Sequence, residues 1–173
     1  MCGSSRTEPR AGRLGLLGWL LASGCATLGA EVGPAPEQVY ALCLPRVGGG
    51  GVCLSEFRGQ VLMVDLFVTW AHSSSLDIPG YTVLESRLGP RGLAVVGVAL
   101  DEITQVVEPF VRGMEVSYPV GLADRAVRSG ASALGPVEVL PKLLVFDRRG
   151  RLRAVFLGQV PPDRLEAVIL DLL

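Results

Sequence analysis

At 173 residues the chain is long enough for one ordinary domain and too short for two comfortable ones. Its composition, 49% hydrophobic and 19% charged, is that of a globular protein. A formal net charge of −1 leaves no basic field to hold nucleic acid, which excludes that class of partner.

The first 25 residues stand apart from the rest. Arg6, Arg10 and Arg13 precede the apolar stretch Leu14–Ala22, which runs into Ala22-Ser23-Gly24-Cys25. A basic segment, a short apolar core and a small-residue cleavage site describe a secretory signal. The core is about 9 residues long, far below the ~20 that span a bilayer. The run ending in Cys25 resembles the bacterial lipobox, which implies cleavage before Cys25 and acylation of its thiol. The lipobox usually has Leu three places before the cysteine; Ala22 stands there, with Leu21 one step earlier. Ordinary secretion with cleavage nearby, or a plain apolar N-terminal helix, are the alternatives. Residues 1–24 are thus read as a lipoprotein signal peptide, 25–36 as a flexible tether from a lipidated cysteine, and 37–173 as the folded domain. The tether reaches roughly 20 Å on average. Without residues 1–24 the chain keeps 13 basic and 16 acidic residues, a net charge of −3, so membrane attachment rests on the acyl chains. Ala26 in place of Asp points, by the same likeness, to the outer membrane more than the inner.

Four cysteines are present. Cys2 leaves with the signal and Cys25 is taken by lipid, so Cys43 and Cys53 remain in a compartment that permits disulfides. They flank the turn Arg46-Val47-Gly48-Gly49-Gly50-Gly51, between the apolar runs Val39–Leu44 and Val52–Phe57. A hairpin centred on Gly48 sets the two cysteines opposite each other, ~4.5–5.5 Å apart at Cα, within disulfide range. A structural bridge is the first reading; two free thiols or a redox-active pair are the others.

From Val61 onward, strand-like and helix-like segments alternate. Val61–Val68 is a nearly unbroken apolar run, the pattern of a strand covered on both faces. Ser75–Leu88 has Leu76, Tyr81, Leu84 and Leu88 at helical spacing. Gly92–Leu100 is a second buried strand, followed by helices at Ile103–Val111 and near Asp124–Leu134. Lys142–Phe146 and Arg151–Leu157 form two strands joined by the turn Asp147-Arg148-Arg149-Gly150. Pro161-Pro162-Asp163 opens a last helix whose apolar stripe is Leu165, Val168, Ile169 and Leu172.

A β-α-β half followed by a β-β-α half is the thioredoxin pattern. The match becomes specific at Leu66-Phe67-Val68-Thr69-Trp70-Ala71-His72-Ser73-Ser74-Ser75-Leu76-Asp77-Ile78-Pro79. This stretch resembles the TlpA and ResA type of membrane-tethered periplasmic thiol–disulfide proteins, with Trp70, Asp77 and Pro79 where that family has its Trp, acid and Pro. Leu54-Ser55-Glu56-Phe57-Arg58-Gly59 resembles the family's leader into its first parallel strand, and Val139-Leu140-Pro141 its cis-proline loop. The likeness runs over about 135 residues, from roughly Glu37 to the end. It implies an α/β, thioredoxin-like fold: a central mixed sheet flanked by helices, with an N-terminal β-hairpin extension.

The family's cysteine positions fall on Ala71 and Ser74. Thiol–disulfide exchange needs a thiolate and a second thiol to resolve the mixed disulfide; alanine has no reactive atom and a serine hydroxyl stores no electrons. The leading expectation is therefore a non-catalytic module that binds an envelope protein or extended peptide in a relic groove. Trp70, His72, Ser73, Ser74 and Pro141 would line it, with Pro141 cis and its loop offering strand addition. Trp70 is read as packing at the rim, Ser74 with Asp77 as a capping box, and Asp65 as a hydrogen-bonded buried acid. His72 is the one histidine, without companions for a metal; neither metal nor cofactor is expected. His72, Ser74 and Asp77 lie too close on one turn for a hydrolase triad and lack an oxyanion hole. The alternatives are a divergent oxidoreductase or redoxin acting through Cys43 and Cys53, and a structural envelope lipoprotein.

Overall fold

The computed structural model describes residues 33–173. The expected signal peptide, the expected lipidation at Cys25 and most of the expected tether lie outside the described residues. A short helix, α1 (Pro36–Tyr40), opens the domain with Pro36 at its first position and Glu37 in its first turn, a composition suited to a helix start. It takes up Val39 and Tyr40, which the sequence pattern assigns to a strand.

The hairpin follows as two three-residue strands, β1 (Cys43–Pro45) and β2 (Gly51–Cys53). Their register pairs Cys43 with Cys53, Leu44 with Val52 and Pro45 with Gly51. The second apolar run continues as a 3-10 turn, Leu54–Phe57, instead of strand. Leu44 and Val52 point inward and are buried, whereas Cys43, Pro45 and Gly51 are exposed. Strand alternation thus turns one face of the hairpin to the core and the other to solvent.

The main sheet has five strands in the order β5-β4-β3-β6-β7. β3 (Val61–Phe67) and β4 (Leu93–Ala99) pair in parallel in its centre, every residue of both buried. β5 (Val120–Leu122) adds in parallel to β4, while β6 (Lys142–Phe146) runs antiparallel to β3 and β7 (Leu152–Leu157) antiparallel to β6. The helices are α2 (His72–Leu88), α3 (Val107–Gly113), α4 (Arg125–Arg128) and α5 (Pro162–Leu172). This is the thioredoxin-like fold with a hairpin added before it.

Two apolar layers sandwich the sheet. One packs Ile78, Tyr81 and Leu84 of α2, Val107 of α3, and Leu165 and Ile169 of α5 against Met63, Phe67 and Val95. The other packs Leu44, Val52 and Leu54 from the hairpin side, with Val127 of α4, against Leu62, Val64, Val96 and Val98. The hairpin is seated on β5: a Cβ on Gly121 would lie only 3.0 Å from Cβ of Leu44 and 3.2 Å from a methyl of Val52, so a residue without a side chain admits the close approach.

Several element boundaries differ from the sequence pattern. α2 begins at His72, three residues earlier than its stripe suggests, and Leu76 is 56% exposed while Ile78 is buried. The helix expected over Asp124–Leu134 is one turn, its amide at Val127 bonded to the Asp124 carboxylate at 2.8 Å. The region 103–113 divides into a 3-10 turn at Thr104–Val106 and α3. β5 has no counterpart in the sequence reading.

Candidate functional site

The chain leaves β3 at Phe67 and is pinned before it enters α2. The buried carboxylate of Asp101 accepts hydrogen bonds from the Thr69 amide at 3.1 and 3.2 Å and from Thr69 Oγ1 at 2.6 Å. Arg128 donates to the Asp101 carbonyl at 2.9 Å. These bonds fix the turn that presents Trp70, whose ring is 79% exposed. Trp70 is therefore not the packing residue expected from sequence. Asp101 is not legible in the sequence, because its partner is 32 residues away and nothing local marks it.

Ala71 caps α2 without any side-chain hydrogen bond. His72 is exposed, Ser73 half-buried and Ser74 buried. The expected Ser74–Asp77 capping box does not form: α2 starts at His72, so Ser74 is already inside the helix, and its Oγ is buried without a partner. The Leu140–Pro141 peptide is cis, and the Pro141 carbonyl accepts from the Gly158 amide at 2.8 Å. Since Leu66 pairs with Lys142, Pro141 lies beside the end of β3.

Beneath α2 sits a group of polar side chains in the apolar layer. Asp65 is 1% exposed, and its Oδ1 has no hydrogen-bond partner, so it is not the hydrogen-bonded acid the sequence suggested. Burial, with a smaller contribution from the nearby Asp77 charge, pushes its carboxyl up to about 8. Asp77 is also held above the ordinary carboxylate range by burial, opposed by a hydrogen bond from Gln159. The hydroxyls of Tyr81 and Tyr118 are shifted upward, first by burial and then by the Asp65 charge. On the far side of the 140-loop, Lys142 is buried and its Nζ donates to the carbonyls of Leu134 and Pro136 at 2.7 and 2.8 Å. Burial lowers the pKa of that amine.

Sulfur is placed elsewhere, on the hairpin. Cys43 and Cys53 are joined by a disulfide with an S–S distance of 2.09 Å and Cα atoms 4.0 Å apart. Cys43 is exposed and Cys53 half-buried. The Cys53 amide donates to Glu56 Oε1 at 2.8 Å, which fixes the turn that follows. The structure thus puts the cysteine pair on the outer face of β1–β2, and Trp70, His72, Ser73, Ser74 and Pro141 around the end of β3 and the start of α2. Among the described residues, no three His, Cys, Asp or Glu side chains form a metal-ligating group, and no helix is long and apolar enough to cross a membrane.

No protein-family model matches the chain. It is similar to the thiol-disulfide oxidoreductase ResA of Oceanobacillus iheyensis, 24% identical over 138 residues that cover 80% of this chain and 70% of that protein. A shorter stretch of 64 residues is 38% identical to glutathione peroxidase 1 of Sus scrofa, covering 36% of this chain and 31% of that enzyme. Among solved structures, a secreted thiol-disulfide isomerase from Corynebacterium glutamicum superposes with a TM-score of 0.69 at 24% identity, covering 76% of this chain and 83% of its own.

These findings correct the expectation of a non-catalytic recognition module. Its premise is that Ala71 and Ser74 leave no sulfur at the start of the first long helix, with Cys43 and Cys53 read as a structural bridge. The same domain carries a cysteine pair at bonding distance, and the likeness to a thiol-disulfide oxidoreductase extends over most of its length. Exchange chemistry requires two thiols within reach of each other and of a partner; it does not require them at the tip of α2. The likeness to the solved isomerase structure shows that the fold is thioredoxin-like.

Proposed function

We propose that the protein is a divergent thiol–disulfide oxidoreductase of redoxin type that acts through Cys43 and Cys53. The observation that carries this reading is the position of the disulfide on the solvent face of the hairpin, with Cys43 exposed. A partner thiolate attacks Sγ of Cys43, the S–S bond breaks, and Cys53 leaves as a thiolate that takes up a proton. The partner's second thiolate then attacks its own sulfur in the mixed disulfide and releases Cys43 as a thiol. Two electrons and two protons pass from the partner dithiol to the hairpin pair, and the partner leaves as a disulfide. With a disulfide partner the same steps run backwards. The chain's own groups suffice for both directions.

The test is turnover of a dithiol substrate by the full-length protein, together with a thiol count before and after reduction. The expected count rises by two on reduction, and both Cys43→Ser and Cys53→Ser abolish turnover. A pair that dithiothreitol leaves untouched, or turnover that survives Cys53→Ser, overturns the reading.

The reading includes a location at the cell envelope, facing the periplasm, with a lipid anchor on Cys25 in the outer membrane. The basic and apolar segments before Cys25 support export, as does the use of a disulfide, which persists in oxidising compartments. The structurally similar isomerase from Corynebacterium glutamicum is itself described as secreted. Incorporation of labelled palmitate that disappears in Cys25→Ala is the expected result. Release of unlabelled wild-type protein into the medium overturns it.

A further inference from the structure

The main sheet ends at β7, and among the described residues no strand pairs with the outer edge of β7. Its ladder to β6 shows which backbone groups that edge presents. The Gly158 amide donates to the Pro141 carbonyl, and from there Leu157, Phe156 and Val155 stand opposite Lys142, Leu143 and Leu144. In an antiparallel pair, backbone groups turn to the neighbouring strand at alternate residues. Gly158 and Phe156 therefore face β6, whereas the N–H and C=O groups of Val155 and Leu157 face outward.

Two observations bear on what fits this edge. First, open edges are ordinarily blunted by charge, proline or shortness, yet β7 shows apolar side chains at the two outward positions. Val155 is 46% and Leu157 56% exposed. An added strand covers both side chains and pairs the outward backbone groups. Second, the flanks of the edge are basic. Arg153 shares the exposed face of β7 with Val155 and Leu157. On the opposite face, the Arg164 guanidinium of α5 lies 5.5 Å from the centroid of the Phe156 ring. Arg164 also lines, with Val155, Leu157 and Gln159, a hollow of about 150 Å³ at the end of the strand. Asp147 is shared between Arg151 and Arg153, and Arg164 forms no ion pair among the described residues. Arg149, Arg151, Arg153 and Arg164 thus outnumber Asp147 and Asp163 along this margin. A second copy of β7 brings the same positive charges together, which opposes pairing; an acidic strand brings the opposite charge.

We propose that the outer edge of β7 takes up an extended acidic segment of a partner protein as a sixth strand. Its backbone pairs with Val155 and Leu157, its apolar side chains cover theirs, and its carboxylates meet Arg153 and Arg164. Planar guanidinium groups suit carboxylates, which they bind through paired N–H donors.

The test is fluorescence anisotropy of the full-length protein with labelled, cysteine-free seven-residue peptides. The probe has valine at its third and fifth positions and glutamate elsewhere, so that either strand direction presents the same pattern. One control replaces every glutamate by lysine, and another methylates every backbone amide of the probe. The glutamate peptide is expected to bind about tenfold more tightly than the lysine peptide, the sum of a few exposed charge contacts. The methylated peptide is expected not to bind. Val155→Pro removes an outward N–H without touching the ladder to β6, and is expected to weaken the glutamate peptide about tenfold. Arg153→Glu with Arg164→Glu alters only exposed side chains and is expected to reverse the preference toward lysine. No binding of the glutamate peptide, equal binding of both charge types, binding that survives methylation, or an unchanged preference in the double variant each overturns the assignment. Wild-type dimers in sedimentation that Val155→Pro dissociates put a second copy on the edge, and overturn it as well. None of these peptides can exchange a disulfide, so the outcome is independent of the exchange chemistry.

Discussion

Asp65 stands opposite Gly97 in the parallel pair of β3 and β4, and the missing side chain of Gly97 makes room for its neighbours. A Cβ there would lie 3.2 Å from the Phe67 ring and 3.4 Å from the Tyr118 ring. Asp65 itself is 1% exposed and so cut off from water. Its carboxyl is neutral over most of the physiological range, titrating at about 8. An acid whose folded pKa lies above its unfolded one contributes stability below the unfolded value and loses it as pH climbs through the folded value. Stability is therefore expected to fall from about pH 4 to about pH 8 on account of this one group. Asp65→Asn mimics the protonated form and removes that slope, so the variant should outlast the wild type in denaturant at pH 8.5 and match it near pH 4. Equal midpoints at both pH values would sink this account.

The disulfide closes a ten-residue separation, and the chain-entropy model assigns such a loop about 2.5–3 kcal/mol. Reduction, or Cys43→Ser with Cys53→Ser, is expected to lower global stability by roughly that amount, measured by urea unfolding with and without reductant. Leu44 and Val52 lie on the inner face of the same hairpin and remain in the core. The sheet itself should therefore persist in the reduced protein, with amide exchange accelerating around residues 42–54 and not in β3 or β4.

Much of this architecture is legible in the sequence because burial on both faces leaves a plain mark. Val61–Phe67 and Leu93–Ala99 are apolar throughout and are the two central strands. β6 and α5 are legible for similar reasons, the latter through Pro162 at its start and Leu165 and Ile169 on its inner face. Where the pattern fails, tertiary contact decides. Val120–Leu122 is too short and too glycine-interrupted to read as a strand, yet it pairs with β4 and receives the hairpin on Gly121. Val39 and Tyr40 look like strand residues, but Pro36 and Glu37 start a helix that includes them. The site divides in the same way. Residues 70–74 and Pro141 can be located by their likeness to a family, whereas the bond from Thr69 to Asp101 and the burial of Ser74 depend on where α2 begins. The function is hard to read for a different reason: Ala71 and Ser74 leave the motif without sulfur, and nothing local to Cys43 and Cys53 marks a hairpin disulfide as exchanging with a partner.

Lys142 holds the loop before the cis-proline from inside. Its buried Nζ donates to the carbonyls of Leu134 and Pro136. Lys142→Met keeps the length of the side chain and removes both donors. Leaving buried carbonyls unpaired costs about 1–3 kcal/mol each, so a loss of that order is expected in thermal or urea unfolding. Faster amide exchange at 134–141 should accompany it. A variant as stable as the wild type would show that water takes over both bonds.

Gly150 closes the turn between β6 and β7 with φ +76°, its amide bonded to the Asp147 carbonyl at 2.8 Å. A Cβ on it would lie 2.6 Å from the ring of Tyr40, which is buried beneath the Arg58 guanidinium, 4.1 Å above its centroid. Two separate costs therefore meet in Gly150→Ala. The left-handed backbone costs about 1–2 kcal/mol for any residue with a Cβ, and pushing an aromatic ring out of a packed site costs about 1–3 kcal/mol more. Only the second depends on Tyr40. In the Tyr40→Ala background, Gly150→Ala is expected to cost the backbone part alone, so the double variant should be more stable than the sum of the single losses predicts. Strict additivity in that cycle would mean that Tyr40 yields freely, and that the turn is glycine for its backbone angle only.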